Sequence, residues 1–297
     1  MSHLIDSELP PFFISADKAS ELAQKASLSS NRLRLFGALA AAIGGAFSLF
    51  LADIDVWALV ALIGFLIALA AEIYITLERP ERNWYQARAG AESIKTLSWR
   101  YSVGADPFLM SLDVQDAESL FRTRVGQVAR QVAQAVPVPS GDGSSPTASM
   151  RALRGSPLDV RRDAYLIDRT QAQRDWYTEK AEQNRKASAV WRTLLLSAES
   201  VAVALAAGRL FGGWSFDLAG VLAAAIGAGA AWLALKQHTT LRAAYALTAA
   251  ELEKQIATLS STSDDDWPKS VADAEEAISR EHTMWLASRG GVNEVIG

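Results

Sequence analysis

Residues 33–52 read LRLFGALAAAIGGAFSLFLA, residues 53–55 read DID, and residues 56–77 read VWALVALIGFLIALAAEIYITL. The first run contains one charged residue, Arg34 near its start, and the second contains only Glu72. About 20 helical residues, rising 1.5 Å each, span the roughly 30 Å hydrocarbon layer of a bilayer. A backbone in lipid must satisfy its own hydrogen bonds. The stretch therefore predicts two membrane-spanning helices joined by a short polar turn.

A second pair of apolar runs occupies residues 190–210 and 216–235. The predicted fold class is therefore all-α and integral to a membrane, with two two-helix transmembrane hairpins, or four spans. Outside the spans, apolar residues recur every three or four positions, which predicts long, amphipathic, coiled-coil-like cytosolic helices. Pro10-Pro11 predicts an extended arm over residues 1–14, followed by a short helix from about 16 to 27.

The stretch 137–157 is rich in Ser, Pro and Gly, which predicts a flexible linker. It separates two predicted domains, residues 1–136 and residues 158–290, each with one hairpin. Arg82 lies three residues before Tyr85 after the second span, and Arg242 lies three before Tyr245 after the fourth. This match indicates a degenerate duplication with a period of about 160 residues.

The amino-acid composition excludes several kinds of functional site. The 297 residues include no Cys and three scattered His, and the formal charge is -4. Disulfides, thiolate nucleophiles and Cys-based metal sites are excluded, and a His-rich metal site is not expected. No GxxxxGKS/T, HExxH, GxSxG or Gly-rich dinucleotide motif occurs. We therefore expect no enzyme activity, no cofactor and no metal, and the acidic balance argues against a nucleic-acid partner.

Basic residues near the span ends indicate the orientation, because Lys and Arg accumulate on the cytosolic side of a membrane. One side has Arg209 alone, beside Asp53, Asp55 and Asp217. The opposite side has twelve basic residues: Lys25, Arg32, Arg34, Arg79, Arg82, Arg88, Lys180, Arg185, Lys186, Arg192, Lys236 and Arg242. Both termini and all long helices should therefore face the cytosol, with the two hairpin turns outside.

Small residues four positions apart allow transmembrane helices to approach closely. The candidate helix-packing residues are Gly37, Ala41 and Gly45 in the first span, and Ala219, Ala223, Gly227 and Ala231 in the fourth. The first stripe packs either on the second span or on another helix.

Polar residues inside the spans are the candidate functional residues. A central charge costs about 2.5–3.5 kcal/mol on insertion, whereas each Leu or Val returns about 0.3–0.6. Glu199 therefore lines a polar pathway, is protonated, or pairs with Arg192. Glu72 lines a pore, reaches the headgroups, or bonds Arg79. The pore candidates are Glu199, Ser197, Ser200, Thr193 and Glu72. Arg209 and Asp217 are expected to interact with each other or with lipid headgroups.

Aromatic and charged residues recur in the predicted cytosolic helices. Arg88 and Glu92 are spaced for an i,i+4 ion pair. Beside arginines at a membrane boundary, aromatic rings anchor or pack helices more often than they stack on bases. The cytosolic motif candidates are Arg82, Tyr85, Arg88, Glu92, Trp99, Trp176, Tyr177, Arg242 and Tyr245.

Several of these stretches resemble the SLATT families. The first half does so in FISADKAS (13–20), RAGAESIK (88–95), Trp99-Arg100-Tyr101 and Asp106-Pro107-Phe108. The second half resembles another subtype in Arg161, Tyr165, Arg169, Gln173, Trp176-Tyr177 and Lys180-Ala181. SLATT domains, also known as DUF4231, are two-transmembrane effectors of bacterial nucleotide-signalling and conflict systems. The resemblance implies a tandem SLATT protein of the bacterial inner membrane, acting as a pore or membrane perturbant that harms the host cell when triggered.

The leading hypothesis is an oligomeric membrane protein that forms or gates an ion-conducting pore, as an effector of bacterial defence. Its expected partners are the lipid bilayer, further copies of the chain, and a cytosolic partner or signal-sensing protein. The alternative is a non-conducting, membrane-anchored scaffold whose cytosolic helices bind a partner protein. A third hypothesis is small-ligand sensing by the arginine-rich cytosolic helices.

Overall fold

The computed structural model describes residues 4–137, 143–212 and 217–288, with side chains up to residue 278. Within these ranges the chain is almost entirely helical, as predicted. The helices are α1 (Pro11–Ala46), α2 (Val56–Glu78), α3 (Pro80–Val103), α4 (Val114–Val132), α5 (Ala148–Arg154), α6 (Leu158–Ala164), α7 (Ala172–Gly212), α8 (Leu218–Lys236), α9 (His238–Ser261) and α10 (Trp267–Ser288). A 3-10 turn (Asp6–Glu8), a π-helical segment (Tyr165–Gln171) and two short strands, β1 (Phe50–Leu51) and β2 (Ile54–Asp55), complete the described part.

The chain divides into two compact units. The core unit comprises residues up to 24, residues 80–179 and residues from 245 onward. The apolar unit comprises residues 25–79 and 180–244. Both units therefore draw on the first and the second half of the sequence.

Helix α3 is the centre of the core unit, where it contacts α4, α5, α6, the π-helical segment and α10. One apolar face of α3 is buried at Ala87, Ala91 and Ile94, as the periodicity of apolar residues outside the spans predicts. Asp113 begins α4, because its carboxylate accepts the backbone N–H of Gln115 at 2.8 Å. An apolar face of α4 is also buried, at Phe121, Val125 and Val132.

The N-terminal prediction is wrong. Residues 4–14 do not form an extended arm, because α1 already begins at Pro11, and residues 1–3 lie outside the described residues. Proline is well suited to the first helical position, where its missing N–H is not needed. Leu9, Phe12 and Phe13 are buried in the core cluster. The helix then continues without a break through the predicted helix end near residue 27.

The stretch predicted as a flexible linker contains α5. Thr147 caps this helix, since its hydroxyl accepts the Met150 N–H at 3.3 Å. Met150 and Leu153 are buried in the core cluster. Residues 138–142 of the same stretch lie outside the described residues. From Thr147 onward, this part of the predicted linker is therefore a packed element of the core unit.

Three helical segments of the described part are long and apolar enough to cross a membrane, judged by length and composition: Val56–Val103, Leu158–Gly212 and Leu218–Ser261. Helix α1 is not among them. It ends at Ala46, so its part from Leu33 onward is only about 21 Å long at 1.5 Å per residue. The helix expected to reach Ala52 is therefore shorter than predicted, and the glycines at 44 and 45 disfavour its continuation.

The turn predicted between the first two apolar runs is a small antiparallel ladder. Phe50 pairs with Asp55 and Leu51 with Ile54, and Ala52 has φ 55°. The Asp55 carboxylate begins α2 by accepting the N–H groups of Trp57 at 3.0 Å and Ala58 at 3.3 Å. The same carboxylate accepts the Leu49 N–H at 3.3 Å, which holds both ends of the turn together.

Candidate functional site

Within the apolar unit, α1 and α2 meet at a seam of small residues. A Cβ added to Gly37 would lie 2.7 Å from the Gly64 carbonyl oxygen. One added to Gly64 would lie 2.6 Å from the Ala41 nitrogen, and one added to Gly44 would lie 2.5 Å from the Ala61 nitrogen. Backbones approach this closely only where side chains are absent or small. The seam therefore depends on glycine at these three positions.

The seam includes two of the three candidates in the first predicted stripe, Gly37 and Ala41. The third, Gly45, has open space where its Cβ would lie. The sequence analysis missed Gly44 and Gly64. Gly44 follows Gly37 by seven residues, or two helical turns, and this spacing could have identified it. Gly64 carries no such signal, because its role depends on the facing helix.

An ion pair crosses the same two helices. Arg34 Nη1 donates to Glu72 Oε2 at 2.7 Å, and Arg34 Nη2 donates to Asn31 Oδ1 at 3.1 Å. Glu72 therefore pairs with Arg34 instead of with Arg79, which ends α2 in the left-handed conformation. The Arg34 and Glu72 side chains are 39% and 52% exposed in the isolated chain. Because the Arg34 guanidinium and the Glu72 carboxylate neutralise each other, the pair leaves no net charge next to the apolar surface.

Helix α7 packs on α8 at Gly229, where an added Cβ would lie 3.2 Å from Leu195 and 3.6 Å from Trp191. The candidate hydroxyls Thr193, Ser197 and Ser200 lie on the opposite side of α7, within an arc of about 60° at 100° per residue. All three are exposed. The Ser200 hydroxyl donates to the Leu196 carbonyl at 2.9 Å. The structure thus gathers these hydroxyls on one face, which the described part of the chain does not cover.

Glu199 lies about 100° around α7 from Ser200. Its side chain is exposed. The predicted pairing with Arg192 is not found, and within the described ranges Glu199 makes no ion pair. The fourth-span stripe is also uncovered: Ala223, Gly227 and Ala231 are exposed, and Ala219 is half-buried.

The predicted interaction between Arg209 and Asp217 is confirmed. Arg209 Nη1 lies 2.6 Å from Asp217 Oδ1. The same carboxylate oxygen accepts the Gly220 N–H at 3.0 Å and so caps α8. The pair connects the end of α7 to the start of α8.

Within the core unit, Arg88 makes the predicted i,i+4 pair with Glu92. It also donates to Asp17 Oδ1 at 3.4 Å. Burial lowers the pKa of Arg88, but the carboxylates of Glu92 and Asp17 outweigh burial and raise that pKa above its usual value. Burial raises the pKa of Asp17, although Arg88 opposes this shift. Arg88 therefore fastens α1 to α3 as a permanent cation.

The structure assembles Trp176, Tyr177 and Tyr245 into one aromatic cluster between α7 and α9. Their ring centroids are 5.0, 5.7 and 5.6 Å apart. Trp99 is buried and meets Tyr165 edge-on at 5.9 Å. The other motif candidates are not part of this cluster: Tyr85 is buried and donates to Glu81, whereas Arg82 and Arg242 are exposed.

The sequence analysis did not identify a buried ion pair in the core unit, formed by Arg169 and Glu275. Glu275 Oε1 accepts from Tyr165 Oη at 3.0 Å and from Arg169 Nε at 2.8 Å. Glu275 Oε2 accepts from Thr96 Oγ1 and Arg169 Nη2, both at 2.8 Å. Burial lowers the pKa of Arg169, but Glu275 more than offsets this and raises it. Burial raises the pKa of Tyr165 well above its usual value. The network connects α3, the π-helical segment and α10.

A cavity of about 390 Å³ lies beside the end of α3, lined in part by Arg161, Asp264 and Trp267. Arg161 donates to the Val103 carbonyl at 2.6 Å and to the Ser156 carbonyl at 3.1 Å. Its guanidinium therefore caps carbonyl groups, as cations near a helix C-terminus do. No group of three or more His, Asp or Glu within the described residues is placed to hold a metal ion.

Comparison with known proteins gives two adjacent family matches. Residues 10–162 match the family model of SMODS and SLOG-associating 2TM effector domain 3 (SLATT_3). Residues 165–285 match that of SMODS and SLOG-associating 2TM effector domain 1 (SLATT_1). The first match alone covers more than half of the chain. No curated protein and no solved structure showed significant similarity to the chain.

Proposed function

The chain belongs to the SLATT family, as two SLATT domains in tandem, and on this premise we propose that it is an oligomeric protein forming or gating an ion-conducting pore. SLATT domains are two-transmembrane effector domains associated with bacterial defence systems. The protein is membrane-associated. In the proposal it is a multi-pass protein of the bacterial inner membrane with both termini in the cytosol. Pore opening would make it a membrane-perturbing effector of such a defence system.

The observation that carries the proposal is the exposure of the apolar segments. Each of the three segments contains an apolar window of 18 residues. The buried share of the window is 11% in Val56–Val103 and 0% in both Leu158–Gly212 and Leu218–Ser261. Exposed apolar surface costs about 25 cal/mol per Å² in water. Lipid or further protein must therefore cover these windows.

We place α1 as a fourth, shorter span that pairs with α2 through the glycine seam. Its helical part is shorter than the hydrocarbon layer, and short spans are accommodated by local thinning, by flanking residues or by oligomerisation. The β1–β2 turn then lies at the outer boundary. The two SLATT-like units are proposed to meet within the predicted boundary region, residues 137–157.

The uncovered polar face of α7 supports a pore made between copies. Thr193, Ser197 and Ser200 are exposed opposite α8, and Glu199 is exposed beside them. Polar groups are costly against lipid and in spans usually face protein or a water-filled cavity. The exposed small residues of α8 offer a surface on which another helix could pack closely. Further copies would cover both surfaces and enclose the hydroxyl face.

Ion release from vesicles tests this function. Purified protein in potassium-loaded vesicles should release ions, and Glu199→Gln should reduce cation over anion selectivity, because the lining loses its carboxylate. Glu251→Gln, which removes an exposed carboxylate from α9, is the matched control and should leave selectivity unchanged. Tight vesicles that contain folded protein and any trigger of the system would overturn the pore and favour the non-conducting scaffold. The absence of enzyme activity stays a prediction.

A further inference from the structure

The Arg34–Glu72 ion pair lies at one edge of the glycine seam between α1 and α2, and it is not fully covered. Glu72 Oε2 accepts from Arg34 at 2.7 Å, but Glu72 Oε1 accepts no hydrogen bond within the described residues. The Glu72 side chain is 52% exposed. In the proposed arrangement this edge belongs to the spans, where charged groups are costly against lipid and usually face protein or water. The exposed part of the pair therefore calls for a polar cover.

Apolar side chains at the same edge are also uncovered. On α2, Phe65 and Leu69 lie about 20° and 60° around the helix from Glu72 at 100° per residue. They are 64% and 56% exposed. On α1, Ala38 lies about 40° from Arg34 and is exposed. We call these five residues the edge face. Its α2 side is bulky and anionic, and its α1 side is small and cationic.

The two sides of the edge face are matched in depth. A Cβ added to Gly37 would lie 2.7 Å from the Gly64 carbonyl oxygen. Their neighbours along the chain, Ala38 and Phe65, therefore lie at similar depth in the bilayer. A two-fold axis along the membrane normal leaves depth unchanged and exchanges the two sides of the face. Such an axis places α1 of one copy against α2 of the other, at the same level.

We propose that the edge face binds the edge face of a second copy of this chain, related by this two-fold axis. Arg34 of each copy then meets Glu72 of the other, so that four charges alternate and each Glu72 Oε1 gains a donor. Phe65 of each copy fills the space beside the small Ala38 of the other. The proposal rests on the proposed function, which places α1 and α2 in the membrane.

The chemistry of the face favours a second copy over other occupants. A two-fold interface uses the same patch twice, so one half of the patch must complement the other half. The edge face meets this condition both in charge, through Arg34 and Glu72, and in size, through Ala38 and Phe65. Lipid tails match the apolar side chains but leave the carboxylate without a donor.

Disulfide crosslinking locates the interface, because the chain has no Cys and a disulfide requires Cβ atoms about 3.5–4.5 Å apart. Two differently tagged copies are coexpressed, one with Ala38→Cys and the other with Phe65→Cys. Oxidation in isolated membranes should join them. The matched control replaces Phe65→Cys by Leu66→Cys. Leu66 is also 56% exposed but lies about 100° farther around α2, so most of the product should be lost.

Charge reversal tests the alternating charges with the same crosslink. Arg34→Glu in both copies, or Glu72→Arg in both, should reduce the product roughly 10-fold, because like charges across an interface strongly disfavour association. When one copy carries Arg34→Glu and the other Glu72→Arg, every contact across the interface is again between opposite charges, and the product should return. This recovery has no source within a copy, since each copy still holds two like charges.

A neutral variant provides a second measurement. Arg34→Gln/Glu72→Gln in both copies removes the charges without placing like charges together, and it should lower the product by a smaller factor. Circular dichroism verifies that each variant is folded. If the reversed variants do not fold, the neutral variant decides: a yield equal to that of the wild-type charges would overturn the interface.

Two further outcomes would also overturn the interface: equal product from Phe65→Cys and Leu66→Cys, or no recovery in the mixed pair of folded variants. Ion release from vesicles separates this test from the proposed function. Vesicles that leak while no product forms contradict only the interface, and lipid then covers the edge face. Crosslinked copies in tight vesicles contradict only the pore.

Discussion

The Glu275 carboxylate accepts four hydrogen bonds although the side chain is fully buried. Burying a carboxylate is costly unless it is paired and hydrogen-bonded. Arg169 supplies the countercharge, but its remaining Nη1 has no hydrogen-bond partner among the described residues. Losing either partner of the pair therefore leaves an uncompensated charge in the core.

Glu275→Gln should destabilise the protein by about 3–5 kcal/mol, because breaking a buried pair leaves the Arg169 guanidinium unpaired. Thermal unfolding followed by circular dichroism in detergent measures this loss. Glu276→Gln removes the neighbouring carboxylate, which is exposed, and should change stability by less than about 0.5 kcal/mol. Equal melting of Glu275→Gln and wild type would show that the pair contributes little.

The ion-pair partner of a residue was predictable from the sequence where the two residues lie close together along the chain. The i,i+4 pair of Arg88 and Glu92 follows from helical spacing. The partner of Arg169 lies 106 residues away and that of Arg34 lies 38 residues away. Such contacts depend on how the helices pack. No local pattern therefore marked Glu275, although Arg169 belongs to a stretch that resembles the family.

Helices α1 and α2 pack closely because glycine leaves room for the facing backbone. Gly64 accommodates Ala41 and Gly37 at distances that no Cβ would allow. Small residues allow the close backbone approach on which tight packing of two helices depends. A methyl group added at Gly37, Gly44 or Gly64 must therefore push the helices apart.

Gly64→Ala should destabilise the apolar unit by about 1–3 kcal/mol, the usual cost of overpacking, even though alanine favours a helix by about 1 kcal/mol over glycine. Gly45→Ala adds the same methyl group to open space, so it should be neutral or stabilising. Thermal melting of both variants in one detergent gives the comparison. A Gly64→Ala variant as stable as Gly45→Ala would mean that α1 and α2 do not pack through this seam.

Helices were predictable from apolar periodicity, but their ends were less so. Pro11 was interpreted as a helix breaker and is instead the first residue of α1. Hydropathy gave no sign of a helix end at Ala46, because residues 47–52 are as apolar as those before them. That end is set by the β1–β2 ladder and by the three N–H groups that Asp55 accepts. Side-chain capping by a later residue is not visible in hydropathy.

At the scale of the whole molecule, the two family matches share one hydrophobic core. The cluster contains Trp99 and Phe121 from the first match together with Tyr165, Trp267 and Val271 from the second. Trp267 Nε1 donates to the Val103 carbonyl at 3.2 Å. The sequence predicted the two domains as neighbours along the chain, and nothing in local periodicity indicated that their helices interleave.

A chain divided within residues 138–142 tests this sharing. The N-terminal fragment alone should aggregate, because the core surface that Trp267 and Val271 cover would be exposed. Coexpressed fragments should copurify through a tag on one of them. Trp267→Ala in the second fragment should weaken copurification, whereas Leu247→Ala, at an exposed position on α9, should not. A monodisperse N-terminal fragment that melts like the intact protein would refute the shared core.

The tryptophan that reaches from the second half to the end of α3 also limits how such a gene can evolve. A deletion or exchange of either half would remove side chains that the other half needs to fold. Recombination between related genes should therefore transfer the halves together, and a lineage that lost one would first have to acquire replacements for Trp267 and its neighbours.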